Sequence, residues 1–130
     1  MTIVAGFIPN QYGQAALAAG ISEAKLRREK LVVVNATKGD AWVDTHFASD
    51  DQVASLETQL ADLESGHEVR QSDGSDIAEQ ILDVVRETDA TLLVIGIRHR
   101  TPIGKMFMGS TAQTLLLDSP CPVLAVKPAK

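Results

Sequence analysis

Arg98, Arg100 and Lys105 fall close together in the chain, with His99 among them and no acid from Gly96 to Thr111. Cations set among Gly96, Gly104 and Gly109 suit the binding of an anion. The side chains supply charge, and the glycines let backbone N–H groups come close. Gly109-Ser110-Thr111 falls where the spacing of Met108, Ala112, Leu115 and Leu116 predicts a helix to begin. The first N–H groups of a helix have no partner within it, and the helix dipole adds partial positive charge there. Ser110 and Thr111 therefore stand where a phosphate is held.

Other chemistry finds less support. Gly104-Lys105 invites comparison with a P-loop, but His99 stands where that motif needs its first glycine and Met106 where it needs Ser or Thr. His46, His67 and His99 fall in different elements without ligand spacing, so no structural metal is expected. Ser110 has no identifiable base and reads as a cap or phosphate ligand rather than a nucleophile. Cys121, the single cysteine, excludes an internal disulfide, fits a reducing cytoplasm and is expected to be a buried, inert thiol.

The elements that would position the loop alternate between two patterns. Ile3–Phe7, Leu31–Val34, His67–Gln71, Thr91–Ile95 and Pro122–Val126 read as strands, the third polar enough for a sheet edge. Helices follow from Leu17, Ile21 and Ala24, with Asn10 as a cap; from Val53, Leu56, Leu60 and Leu63, ended by Gly66; and from Ile77, Ile81, Val84 and Val85. A fourth runs to about Asp118. Asn35 to Ser49 reads as a long connection in which Trp42 and Phe47 pack against the sheet, covering a ligand being the alternative. Ser72-Asp73-Gly74-Ser75 offers turn and capping chemistry.

Such alternation specifies an α/β fold: a doubly wound, five-stranded parallel sheet with helices on both faces and right-handed crossovers. In strand order 3-2-1-4-5, ligands settle past the carboxyl ends of strands one and four. The loop after strand four then faces Ile8, Pro9 and Asn10, with Asn35 to Thr37 nearby.

With 130 residues, a single domain over 1–130 is expected. A net charge of −5 argues against nucleic-acid and anionic-membrane partners. Acids crowd Asp40 to Asp89, whereas beyond Ala90 the sole acid is Asp118, so the basic end is the end carrying the glycine loop. No apolar run approaches the roughly 20 residues of a membrane span. The opening residues lack a signal peptide's basic region, so a cytoplasmic location is expected.

Over nearly its full length the chain resembles the universal stress protein family. That family's signature is a glycine after strand four, two residues, a second glycine, nine residues, then glycine and serine or threonine. Here Gly96, Ile97-Arg98, His99 and, nine residues on, Gly109-Ser110 follow that spacing. The stretches Gly74 to Ile81 and Ser119 to Val126 fit as well. The resemblance implies the strand order above and, in the ATP-binding branch, an adenine nucleotide at the switch point: ATP or AMP, with Mg possible beside ATP. Gly96, Gly109, Ser110 and Thr111 would contact phosphate or ribose, and Val34 and Asn35 would lie near the adenine. It also implies homodimers through the last strand, here Val123, Leu124, Ala125 and Val126.

Two positions depart from the family pattern. His99 replaces the second glycine, and Phe7-Ile8-Pro9-Asn10 lacks the aspartate usual after strand one. Arg98, His99 and Arg100 are the side chains that would compensate at the phosphate. The expected function is therefore a regulatory, stress-response module that binds an adenine nucleotide, with slow hydrolysis at most. The alternative keeps the fold and the dimer but leaves the pocket empty, with function carried by partner surfaces.

Overall fold

The computed structural model describes residues 1–37, 48–74, 76–97 and 110–128. Five strands and four helices alternate: β1 (Thr2–Gly6), α1 (Gln11–Arg27), β2 (Lys30–Thr37), α2 (Asp50–Leu60), β3 (His67–Asp73), α3 (Ile77–Glu87), β4 (Leu92–Gly96), α4 (Ser110–Asp118) and β5 (Val123–Val126). The sheet is parallel, in order β3-β2-β1-β4-β5. The strand order expected from the sequence is thus the one adopted. Ile3 pairs with Leu31 on one side and Leu92 on the other, so β1 is the central strand.

β-Branched and leucine side chains on both sides of the inner strands bury two cores, as a sheet covered on both faces requires. One core places Ile3, Ala5, Leu31 and Val33 against Leu17 and Ala24 of α1 and Leu56 and Leu60 of α2. The other places Val4, Val32, Val34 and Ile95 against Ile81, Leu82 and Val85 of α3 and Leu115 of α4. Alternate residues of β2 thereby face opposite layers, which decides later where Asn35 and Val34 point.

The structure corrects the sequence reading in several places. β2 runs on through Asn35, Ala36 and Thr37 instead of ending at Val34, because Asn35 and Thr37, though polar, are fully buried and keep pairing with β3. Ser72 and Asp73 likewise belong to β3, and Asp76 is the residue that caps α3, its side chain accepting from the Glu79 N–H. α2 starts at a capping box between Ser49 and Gln52 and ends at Leu60, before Leu63. Cys121 is half-buried rather than buried, its Sγ 3.5 Å from Ser119 Oγ. Trp42 and Phe47 lie outside the described residues.

Candidate functional site

The site is built around the corner that leaves β1. Phe7 N–H donates to the Val34 carbonyl (2.8 Å), carrying the β1–β2 ladder one residue beyond the strand. The chain then turns at Pro9, where Asn10 N–H donates to the Ile8 carbonyl (2.8 Å). Asn10 Oδ1 accepts from Tyr12 N–H (2.9 Å) and Gly13 N–H (3.1 Å), so Asn10 caps α1 as the sequence suggested.

Two bare Cα atoms allow the first turn of α1 to fit here. A Cβ on Gly13 would stand 1.8 Å from the Ile8 carbonyl oxygen, and one on Gly96 would stand 2.1 Å from the Tyr12 carbonyl oxygen. The start of α1 is wedged between the exits of β1 and β4.

Beside this wedge, on the α3 and α4 side of the sheet, opens a cavity of about 330 Å³. Its floor is Val34 and Ala36 of β2 with Ile95 of β4. Ile77 and Ile81 of α3 wall one side, and Ala112 and Leu115 of α4 wall another. Ile8, Asn10 and Tyr12 bring the β1 corner to its rim, and Thr111 adds a polar group from the first turn of α4. Among the described residues no carboxylate lines it. An apolar slot beside the start of a helix can take a flat ring system in the slot and an anionic group at the helix end.

The family model of the universal stress protein family matches residues 1–127. A universal stress protein of Mycolicibacterium smegmatis is 51% identical over 126 residues, covering 97% of both chains. This chain belongs to the universal stress protein family. A universal stress protein from Archaeoglobus fulgidus superposes with a TM-score of 0.80 at 26% identity, covering 98% of each chain. The universal stress protein from Archaeoglobus fulgidus in complex with dAMP superposes with a TM-score of 0.70 at 22% identity, again covering 98% of each.

Within this universal stress protein fold the residues singled out from the sequence separate. Asn10, Val34, Gly96 and Thr111 line the cavity. Ser110 opens α4 and is exposed. Pro9 lines a smaller depression of about 190 Å³ between α1 and α2, with Gln14, Gln52 and Gln59. Asn35 is buried on the opposite side of the sheet, bonded to protein groups. Arg98, His99, Arg100 and Gly109 lie outside the described residues.

Sequence reasoning missed Tyr12, Ile77, Ile81 and Ala112 as lining residues, while Ala36 falls in the Asn35 to Thr37 stretch expected nearby. From the sequence the apolar stripes of α3 and α4 read as core. The available signal was position: Ile77 and Ala112 fall in the first turns of their helices, at the carboxyl ends of the strands.

Among the described residues, ion pairs gather on the edge strand β3. Arg70 hydrogen-bonds Glu68 and reaches Glu87 (3.2 Å), while Lys30 Nζ lies 3.4 Å from Glu68. The hydrogen bond from Arg70, opposed by partial burial, holds the Glu68 carboxyl below its usual range.

Proposed function

We propose that the cavity between β1 and β4 binds an adenine nucleotide, ATP or AMP, as a ligand or regulator in a stress response. The observation that carries this reading is the apolar slot floored by Val34, Ala36 and Ile95 and adjoining the first turn of α4 at Thr111. The base would lie in the slot. Ser110 and Thr111 would meet phosphate or ribose, and the sequence adds Gly96, Arg98, His99, Arg100 and Gly109 on that side. The dAMP complex of the Archaeoglobus fulgidus relative supports the ligand class. Magnesium would accompany ATP. With no carboxylate among the described lining residues to act as a base, any hydrolysis is expected to be slow.

Equilibrium dialysis with labelled ATP and AMP, with and without magnesium, tests the reading. Saturable binding is expected in the micromolar to sub-millimolar range, about 4–8 kcal/mol. No binding below about a millimolar would overturn it and favour the second reading, a dimeric interaction protein with an empty pocket. The carboxylate-free corner at Phe7 and Ile8 is the observation on that side.

The same proposal includes a homodimer. Among the described residues β5 pairs only with β4, and Leu124 on this edge is 37% exposed. Pairing Val123 to Val126 with a second copy would satisfy open backbone groups. Among the described residues no helix is long and apolar enough to cross a membrane.

A further inference from the structure

Asn35 is fully buried yet polar, and it sits behind the cavity floor rather than in it. Its Nδ2 donates to the Phe7 carbonyl at 2.9 Å. Its Oδ1 accepts from Ala48 N–H at 2.8 Å and from Gln71 Nε2 at 3.2 Å. Gln71 Nε2 also reaches the Ala48 carbonyl at 2.8 Å. One carboxamide therefore ties together the exit of β1, the approach to α2 and the edge strand β3.

The bond to Phe7 has the larger consequence. That carbonyl belongs to the Phe7–Ile8 peptide, whose orientation sets where Ile8 enters the cavity rim. Ile8 in turn receives Asn10 N–H and lies against the Cα of Gly13, and Tyr12 lies against Gly96. Contacts thus run without a break from Asn35 through the β1 corner to the end of β4. An asparagine whose donor and acceptor are both engaged in the interior fixes geometry more firmly than an apolar side chain of its size.

We infer that Asn35 is a positioning residue for the cavity, holding the Phe7–Ile8 peptide from behind the sheet and coupling the rim to the start of α2. This rests on the nucleotide reading only for its binding arm. Asn35→Asp preserves shape and the acceptor for Ala48 but sets a carboxylate oxygen against the Phe7 carbonyl. Gln71→Ala removes the two bonds from Gln71 Nε2, to Asn35 Oδ1 and to the Ala48 carbonyl, and leaves the Phe7 and Ala48 N–H bonds of Asn35 in place.

Asn35→Asp is expected to lower hydrogen-exchange protection of the Tyr12 and Gly13 amides by about tenfold relative to the β2 amides and to weaken AMP binding by a similar factor. Gln71→Ala is expected to leave both within about twofold, the scale of a peripheral change. If Asn35→Asp folds and keeps both, or if the two variants lower protection everywhere in parallel, the assignment is overturned.

Should Asn35→Asp fail to fold, titration of the wild-type protein with AMP decides. The Asn35 side-chain amide resonances move saturably with the ligand if the inference holds and stay fixed if it does not. Wild-type protein that binds neither ATP nor AMP ends the nucleotide reading, while the exchange measurement still tests the positioning role. If the variant also fails to fold in that case, exchange in the wild type settles the matter. Protection of the Asn35 side-chain amide matching that of the Tyr12 and Gly13 amides supports the role, and free exchange there overturns it.

Discussion

Gly96, the last residue of β4, faces the carbonyl of Tyr12 so closely that a Cβ added to it would lie 2.1 Å from that oxygen. The atom in the way is backbone, held within the first turn of α1, so it cannot swing aside as a side chain would. The family resemblance implies a nucleotide contact for this glycine. Here it has a packing duty whether or not a ligand is present.

Gly96→Ala is accordingly expected to cost about 3 kcal/mol, the upper part of the range for overpacking. Gly6→Ala, whose Cβ would meet its nearest neighbour, Ile81, at an ordinary 3.6 Å, is expected to change stability by less than about 1 kcal/mol. Urea unfolding separates the two: the Gly96 variant shifts the midpoint at unchanged slope, and the Gly6 variant barely moves it.

Asn10→Ala removes the acceptor shared by Tyr12 and Gly13 N–H and should destabilise by about 1 kcal/mol. Asn10→Gly should cost only a few tenths of a kcal/mol, because water then reaches the freed amides. Thermal unfolding of the pair provides the check, and equal losses would mean that the corner and not the cap sets the effect.

Ala112→Phe places a ring into the cavity from a half-buried helix position. It is expected to abolish ATP and AMP binding in dialysis while changing the urea midpoint little. Unimpaired binding would move the nucleotide away from this cavity.

The depressed Glu68 carboxyl makes stability depend on pH in a known direction. Its contribution is fully present above the usual carboxylate value of 4.5 and is lost as pH falls through the lower value of the folded state. Because the side chain is 37% exposed, solvent screening limits the effect to at most about 1 kcal/mol. Glu68→Gln should remove that part of the acid dependence below pH 4.5 and leave the rest of the unfolding profile in place.

Leu124→Lys places a charge on the exposed edge of β5, close to where a second copy would pair. Sedimentation at micromolar concentration should find the wild type dimeric and the variant monomeric. A monomeric wild type removes the proposed interface.

The two-sided core was legible because periodicity reports burial directly, and the polar β3 fitted an edge; the full strand order was implied by the family resemblance and not by periodicity. Asn10 was legible as a cap since its chemistry is local. The length of β2 was not, because Asn35 and Thr37 resemble loop residues until their partners, 36 positions away for Gln71 and 43 for Gln80, are known. For the same reason Asn35 looked like a contact for the ligand when its side chain belongs to the other face. The cavity walls from Ile77, Ile81 and Ala112 were hidden too, since an apolar stripe reads alike whether it meets a packed core or lines a hollow. Gly13 gave no hint at all, because the crowding that demands it arises only when α1 comes back against the exit of β1.

The central place of β1 has a consequence during synthesis. Its two partners lie far apart in the chain, since Ile3 meets Leu31 on one side but Leu92 on the other. At about 5–20 residues per second, a ribosome needs several seconds after finishing β2 before β4 emerges. Throughout that interval the backbone N–H and C=O groups of Ile3, Val4 and Ala5 on the β4 side stay unpaired between apolar side chains, a strand edge open to pairing with another chain.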